Sequence, residues 1–104
     1  VLVVSRFDAV DADFAVGARA ALDALAARPG FVRGRLGRST DDPGSWLLAT
    51  EWVGVGAYRR ALSSYEVKLA ATPVLALGRD EPSAFEVLVE VEDGAVREAS
   101  SDRA

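Results

Sequence analysis

Residues 31–53 read FVRGRLGRSTDDPGSWLLATEWV, and the fold turns on this stretch. Phe31–Arg38 is a short run with apolar residues set among three arginines, and it reads as a strand. Ser39–Ser45 (STDDPGS) consists almost wholly of turn formers, so it closes a hairpin. Trp46–Val53 (WLLATEWV) is rich in aromatic and aliphatic residues and supplies the second strand of that hairpin. Pro29-Gly30 on one side and Gly54–Gly56 on the other punctuate the segment, so different elements are expected beyond both ends.

Upstream, Phe14, Ala18, Ala21, Leu22 and Leu25 fall at i, i+4, i+7, i+8 and i+11. That spacing predicts an amphipathic helix over Phe14–Arg28, with Asp8, Asp11 and Asp13 placed to cap it. Val1–Phe7 (VLVVSRF) before it reads as a strand. Downstream, Tyr58, Ala61, Leu62, Tyr65 and Leu69 recur at helical spacing and predict one second helix, ended by Thr72-Pro73. Val74–Leu77 suits a helical turn or a short extended piece, and Arg79–Pro82 a loop. Ala84–Glu92 (AFEVLVEVE) alternates and predicts a fourth strand; from Asp93 the chain is small and polar and is expected to fray. The order is β-α-β-β-α-β: an α+β, ferredoxin-like domain over residues 1–92 with a four-stranded antiparallel sheet, and a polar tail over 93–104.

The 104-residue length suits one domain, and half of the residues are apolar. The missing residue types narrow the chemistry. The chain has no His, Cys, Met, Asn, Gln or Ile. Disulfides, thiol nucleophiles, imidazole bases and histidine-held haem or zinc are therefore excluded within it. Asp41-Asp42 has no further ligands at suitable spacing, so no metal site is expected. The net charge of −4 makes a poor partner for nucleic acid, and no apolar run approaches the ~20 residues that cross a bilayer. Without a leader-like segment at Val1–Asp8, a cytoplasmic protein is expected.

The strands look apolar on both faces. Val1 and Val3 oppose Leu2 and Val4; Trp46, Leu48 and Trp52 oppose Leu47, Ala49 and Val53. Two helices cover one face of a four-stranded sheet, so the other face is expected to be covered by a second copy, making a homodimer.

The element order, the Pro29-Gly30-Phe31 segment and the run from Thr50-Glu51-Trp52 into Ala57-Tyr58 resemble the antibiotic biosynthesis monooxygenase family, part of the dimeric α/β barrel superfamily. The resemblance covers about residues 1–92. It implies a homodimer whose two sheets form a barrel, with a pocket between sheet and helices in each subunit. Members oxygenate aromatic polyketides or quinols without metal or flavin, degrade haem or isomerise small molecules. The haem-degrading branch uses Asn, Trp and His at positions that hold Ser5, Ala61 and Ala71 here, so haem chemistry does not carry over. Cofactor-free oxygenases use Asn, Trp, Tyr and Arg. This chain has no Asn, and Trp52, Tyr58 and Arg6 match by residue type.

On this basis Arg6 is expected to stabilise a substrate anion and Tyr58 to orient or help deprotonate a substrate hydroxyl. Ser5, Phe7, Trp52 and Tyr65 are expected to contact the substrate, a small aromatic or apolar molecule. Packing is the plainer role for Trp52 and Trp46, a surface ion pair with Asp8 or Glu51 for Arg6, and a solvated helix face for Lys68. Arg33 and Arg35 share one face of strand two, and Glu86, Glu90 and Glu92 one face of strand four. They either keep the sheet edges from aggregating or meet across the dimer. The expected function is a cofactor-independent monooxygenase of a phenolic, quinol or polyketide-type substrate. The alternatives are a non-catalytic ligand-binding or stress-related homodimer, or an isomerase, on the same fold.

Overall fold

The computed structural model describes residues 1–9, 11 and 13–101. Strand β1 (Leu2–Asp8) leads to helix α1 (Asp13–Ala26), which is followed by the hairpin β2 (Phe31–Arg38) and β3 (Ser45–Trp52). Three short helices come next, α2 (Val55–Leu62), α3 (Tyr65–Ala70) and α4 (Thr72–Leu75). The chain ends with strands β4 (Ala84–Phe85), β5 (Val89–Glu92) and β6 (Ala95–Glu98). The main sheet is antiparallel in the order β2-β3-β1-β4, the arrangement the sequence predicts.

Period-two alternation assigns the faces. Val3, Ser5 and Phe7 of β1 and Leu48, Thr50 and Trp52 of β3 project toward the helices; all but the half-buried Ser5 are buried. Ala18, Ala21 and Leu25 of α1 and Ala57 and Ala61 of α2 meet them there. The small alanines let the helices lie close to the sheet. Gly30 makes one such approach possible: its φ is +87°, and a Cβ there would stand 2.4 Å from that of Ala57. A side chain would have to push α2 off the sheet.

Two expectations are corrected. The second helix is not one rod, because Ser64 interrupts it. Its hydroxyl donates to the Ala61 carbonyl at 2.8 Å and accepts the Val67 amide at 3.3 Å, so it ends one helix and caps the next. The long fourth strand divides after Phe85. Only Leu2↔Phe85 and Val3↔Ala84 pair with β1. Residues 89–92 instead fold back on residues 95–98 as a separate ribbon. Asp93 and Gly94 turn it with φ of +49° and +80°, the left-handed pair that a two-residue hairpin demands. The tail expected to fray from Asp93 thus begins as turn and strand, and its residues 102–104 lie outside the described residues.

Along the rest of β1 the segment before β4 lies beside the strand. The Arg79 amide donates to the Arg6 carbonyl at 2.8 Å, and the Val4 amide to the Ser83 carbonyl at 2.7 Å. Two reciprocal ion pairs reinforce this strap. Arg6 grips Glu81 through Nε and a terminal nitrogen, both at 3.0 Å. Arg79 grips Asp8 in the same way at 3.1 and 2.7 Å.

Candidate functional site

Four of the six residues singled out in the sequence come to one side of the sheet. Ser5, Phe7 and Trp52 project into the layer between sheet and helices, and Tyr58 enters it from α2. The Tyr58 ring lies 5.6 Å from that of Trp52, centroid to centroid, and Phe31 meets Trp52 edge-on at 5.3 Å. Trp52 is only 2% exposed, and its indole N–H donates to Thr50 Oγ1 at 2.9 Å. This pair is fully satisfied inside the core, where an unbonded N–H would be costly.

Burial raises the Tyr58 pKa above its ordinary value, because ionisation would place a charge in an apolar setting. The phenol therefore stays protonated at neutral pH and acts as a hydrogen-bond donor. No described residue bonds its hydroxyl, which is not among the fully buried polar atoms and so reaches the surface of the chain.

The other two candidates stand apart. Arg6 projects from the opposite face of the sheet, where Glu81 occupies its guanidinium. Tyr65 opens α3 at 73% exposure and makes no ring contact among the described residues. The sequence set Tyr58 and Tyr65 on one helical stripe; the break at Ser63-Ser64 removes that relation.

At the far end of the sheet a second aromatic group forms. Phe7 and Phe14 lie 5.0 Å apart, Phe14 and Trp46 5.6 Å, and the Arg38 guanidinium sits 5.3 Å from the Trp46 ring. A cavity of about 290 Å³ opens here between Phe7, Phe14, Leu77 and the backbone around Asp8. Sequence reasoning singled out Phe7 and missed Phe14, although its place one turn into an amphipathic helix marked it as inward-facing. A larger cleft of about 650 Å³ lies between Val53–Val55, Arg59 and the chain at Phe85–Leu88. Among the described residues no group of three His, Cys, Asp or Glu side chains is placed to hold a metal ion, and no helix is long and apolar enough to cross a membrane.

No family model matches the chain, and no curated protein does. Solved structures do. The cofactor-independent oxygenase SnoaB of Streptomyces nogalater is 30% identical, with 84% of this chain and 94% of that one covered and a TM-score of 0.67. A variant of the same enzyme gives 31% identity over 75% and 82% of the two chains, also at 0.67. A Nitrosomonas europaea protein named as an antibiotic biosynthesis monooxygenase shares the fold at a TM-score of 0.58, with 20% identity over 79% and 90% of the chains. The sheet order, the helix-covered face and this likeness over nearly the whole length together show that the chain belongs to the antibiotic biosynthesis monooxygenase family.

Proposed function

We propose that this protein is a cofactor-independent monooxygenase of an electron-rich phenolic, quinol or polyketide-type aromatic. The observation that carries the reading is the 30% identity to a cofactor-independent oxygenase across 94% of that enzyme's length. The site supports it. At one end of the layer between sheet and helices Phe7 and Phe14 wall a cavity, and at the other, beside Trp52, Tyr58 carries a phenol that no described residue bonds.

In such chemistry the substrate phenolate gives an electron to O₂, and the two radicals combine at a ring carbon. The resulting hydroperoxide loses water to leave a quinone. One oxygen atom stays on carbon; the other leaves as water with the hydrogen of that carbon and the phenolic proton. The protein's part is to bind the ring, exclude solvent and hold the anion. Tyr58 donates to the substrate oxyanion and Trp52 braces Tyr58, while Phe7 and Phe14 wall the cavity at the far end of the same layer. Arg6 reaches an anion only on the other face, and only once released by Glu81.

Oxygen uptake with a panel of hydroquinones and polycyclic phenols tests this. The expected result is one O₂ consumed per quinone formed, with label from ¹⁸O₂ in the product. Tyr58→Phe should lower kcat by roughly a hundredfold, as loss of an oxyanion donor does. A second reading, a non-catalytic ligand-binding dimer, is favoured by one feature: Trp52 and Phe7 already fill much of the interior. Ligand binding without oxygen uptake would select it.

We also propose a homodimer in the cytoplasm. Leu2, Val4, Leu47 and Ala49 project from the face without helices and are half-buried in the single chain, and Phe85 beside them is exposed. A second copy would cover them. Sedimentation at micromolar concentration should show a species near twice the 11.0 kDa chain.

A further inference from the structure

Five exposed apolar residues gather around one opening in the molecule. Val53 and Val55 stand where β3 gives way to α2; Phe85, Val87 and Leu88 stand where the chain leaves the main sheet. The cleft of about 650 Å³ lies between the two segments. That volume falls within the roughly 300–1,000 Å³ of small-molecule sites. Apolar side chains scattered singly over a surface need no explanation, but a group lining a concave site marks a place that binds. Apart from Phe85 these walls are aliphatic. They suit a flexible alkyl chain and offer a flat ring system only one ring to stack on.

Arg59, one turn into α2, brings a cation to the same cleft. Among the described residues no carboxylate pairs with its guanidinium. Its fork of donors matches a carboxylate through two parallel hydrogen bonds. The start of α2 also borders the cleft through Gly54 and Val55, and Gly54 supplies no side-chain cap, so the helix field adds to the pull on a negative charge. Glu86 is in the lining too, and its carboxylate accepts from the Ser101 hydroxyl. Its charge repels an anionic head from its own side and so favours the Arg59 side.

We propose that this cleft binds a medium-chain alkyl carboxylate, with the head on Arg59 and the chain along the aliphatic walls. The site is separate from the layer between sheet and helices, and it rests on no assumption about the reaction. Phe85 also borders the sheet face proposed for the dimer, so a second copy is the competing occupant.

Calorimetric titration of the full chain with octanoate, below the concentration at which it forms micelles, tests the site. The expected result is one octanoate per chain, bound at least tenfold more tightly than octanol. Each methylene added from hexanoate to decanoate should tighten binding about threefold. Arg59→Gln should remove the preference over octanol and leave octanol binding as it was, while Arg59→Lys should keep part of the preference. Leu88→Ser, at an exposed position, should weaken both ligands about tenfold. Equal affinity for octanoate and octanol in the parent, or a preference that survives Arg59→Gln, would overturn the site. Binding seen only with vesicles of an anionic phospholipid would overturn it as well, because the patch would then be a lipid-surface contact. Sedimentation with saturating octanoate should leave the oligomeric state unchanged; a dimer that disperses would give the cleft to the second copy and overturn the proposal.

Discussion

The two ends of the sheet hold similar residues and meet different fates. At one, Phe31, Trp52 and Tyr58 pack ring against ring under α2, and the indole is closed off and hydrogen-bonded. At the other, Phe7, Phe14 and Trp46 pack at similar distances, but a cavity opens beside them and Trp46 is left half-buried under Arg38. Both tryptophans sit on β3, six residues apart and on the same face. What separates them is the layer above: helix α2 starts just after Trp52 and folds back over it, whereas the end near Trp46 faces the entry to α1. An aromatic pair is therefore core or pocket wall according to what lands on it.

Several experiments break or sharpen this contrast. The largest effect is expected from Trp52→Ala, which empties a sealed site and should cost about 3–5 kcal/mol. Trp46→Ala should cost roughly 1–2 kcal/mol, because less area leaves water. Equal losses in chemical denaturation would erase the distinction between the ends. Next is Thr50→Val. It leaves the buried indole N–H of Trp52 without an acceptor, at about 1–3 kcal/mol; an unchanged melt would mean that the bond contributes nothing.

A weaker effect is expected at the strap beside the open end. The Arg79 guanidinium, hydrogen-bonded to Asp8, holds that carboxyl below its ordinary pKa. A group depressed in the folded state stabilises above its unfolded pKa and loses that contribution as pH falls through its folded pKa. The parent should thus exceed Asp8→Asn in melting temperature at neutral pH. The gap should close as acid takes the carboxyl below about pH 4, and a gap constant with pH would show that the pair is silent. Smallest of all, Lys68→Ala on the exposed face of α3 should stay within about 0.5 kcal/mol of the parent.

The sequence carried the element order because each apolar period was long enough to read, and residues 31–53 with their turn-rich centre left little choice of topology. It was less informative where a short polar signal competes with a long pattern. The alternation in AFEVLVEVE suggested one strand, yet its second half leaves the sheet after Phe85 and pairs instead with residues 95–98, which the Asp93-Gly94 turn brings back beside it. Ser63-Ser64 in the same way outweighed the helical spacing from Tyr58 to Leu69. Within the site, the alternation of β1 and β3 sets Ser5, Phe7 and Trp52 on the face that the helices cover. It could not show that Trp52 would be sealed, since burial depends on an element many residues away. The alternation of β1 did place Arg6 on the other face from Ser5 and Phe7; its pairing with Glu81, 75 residues away, was not visible in any local pattern.

The crossed signs of the strap also bear on how faithfully the chain assembles. Arg6 faces Glu81 while Asp8 faces Arg79, so the segment can be docked on β1 in only one alignment without penalty. A slip of two residues one way sets Arg6 against Arg79; a slip the other way sets Asp8 against Glu81. Each error juxtaposes like charges, which strand neighbours tolerate poorly. An edge that lacks most of a fourth strand thus has a keyed closure, in which one alignment alone brings both pairs of opposite charges together.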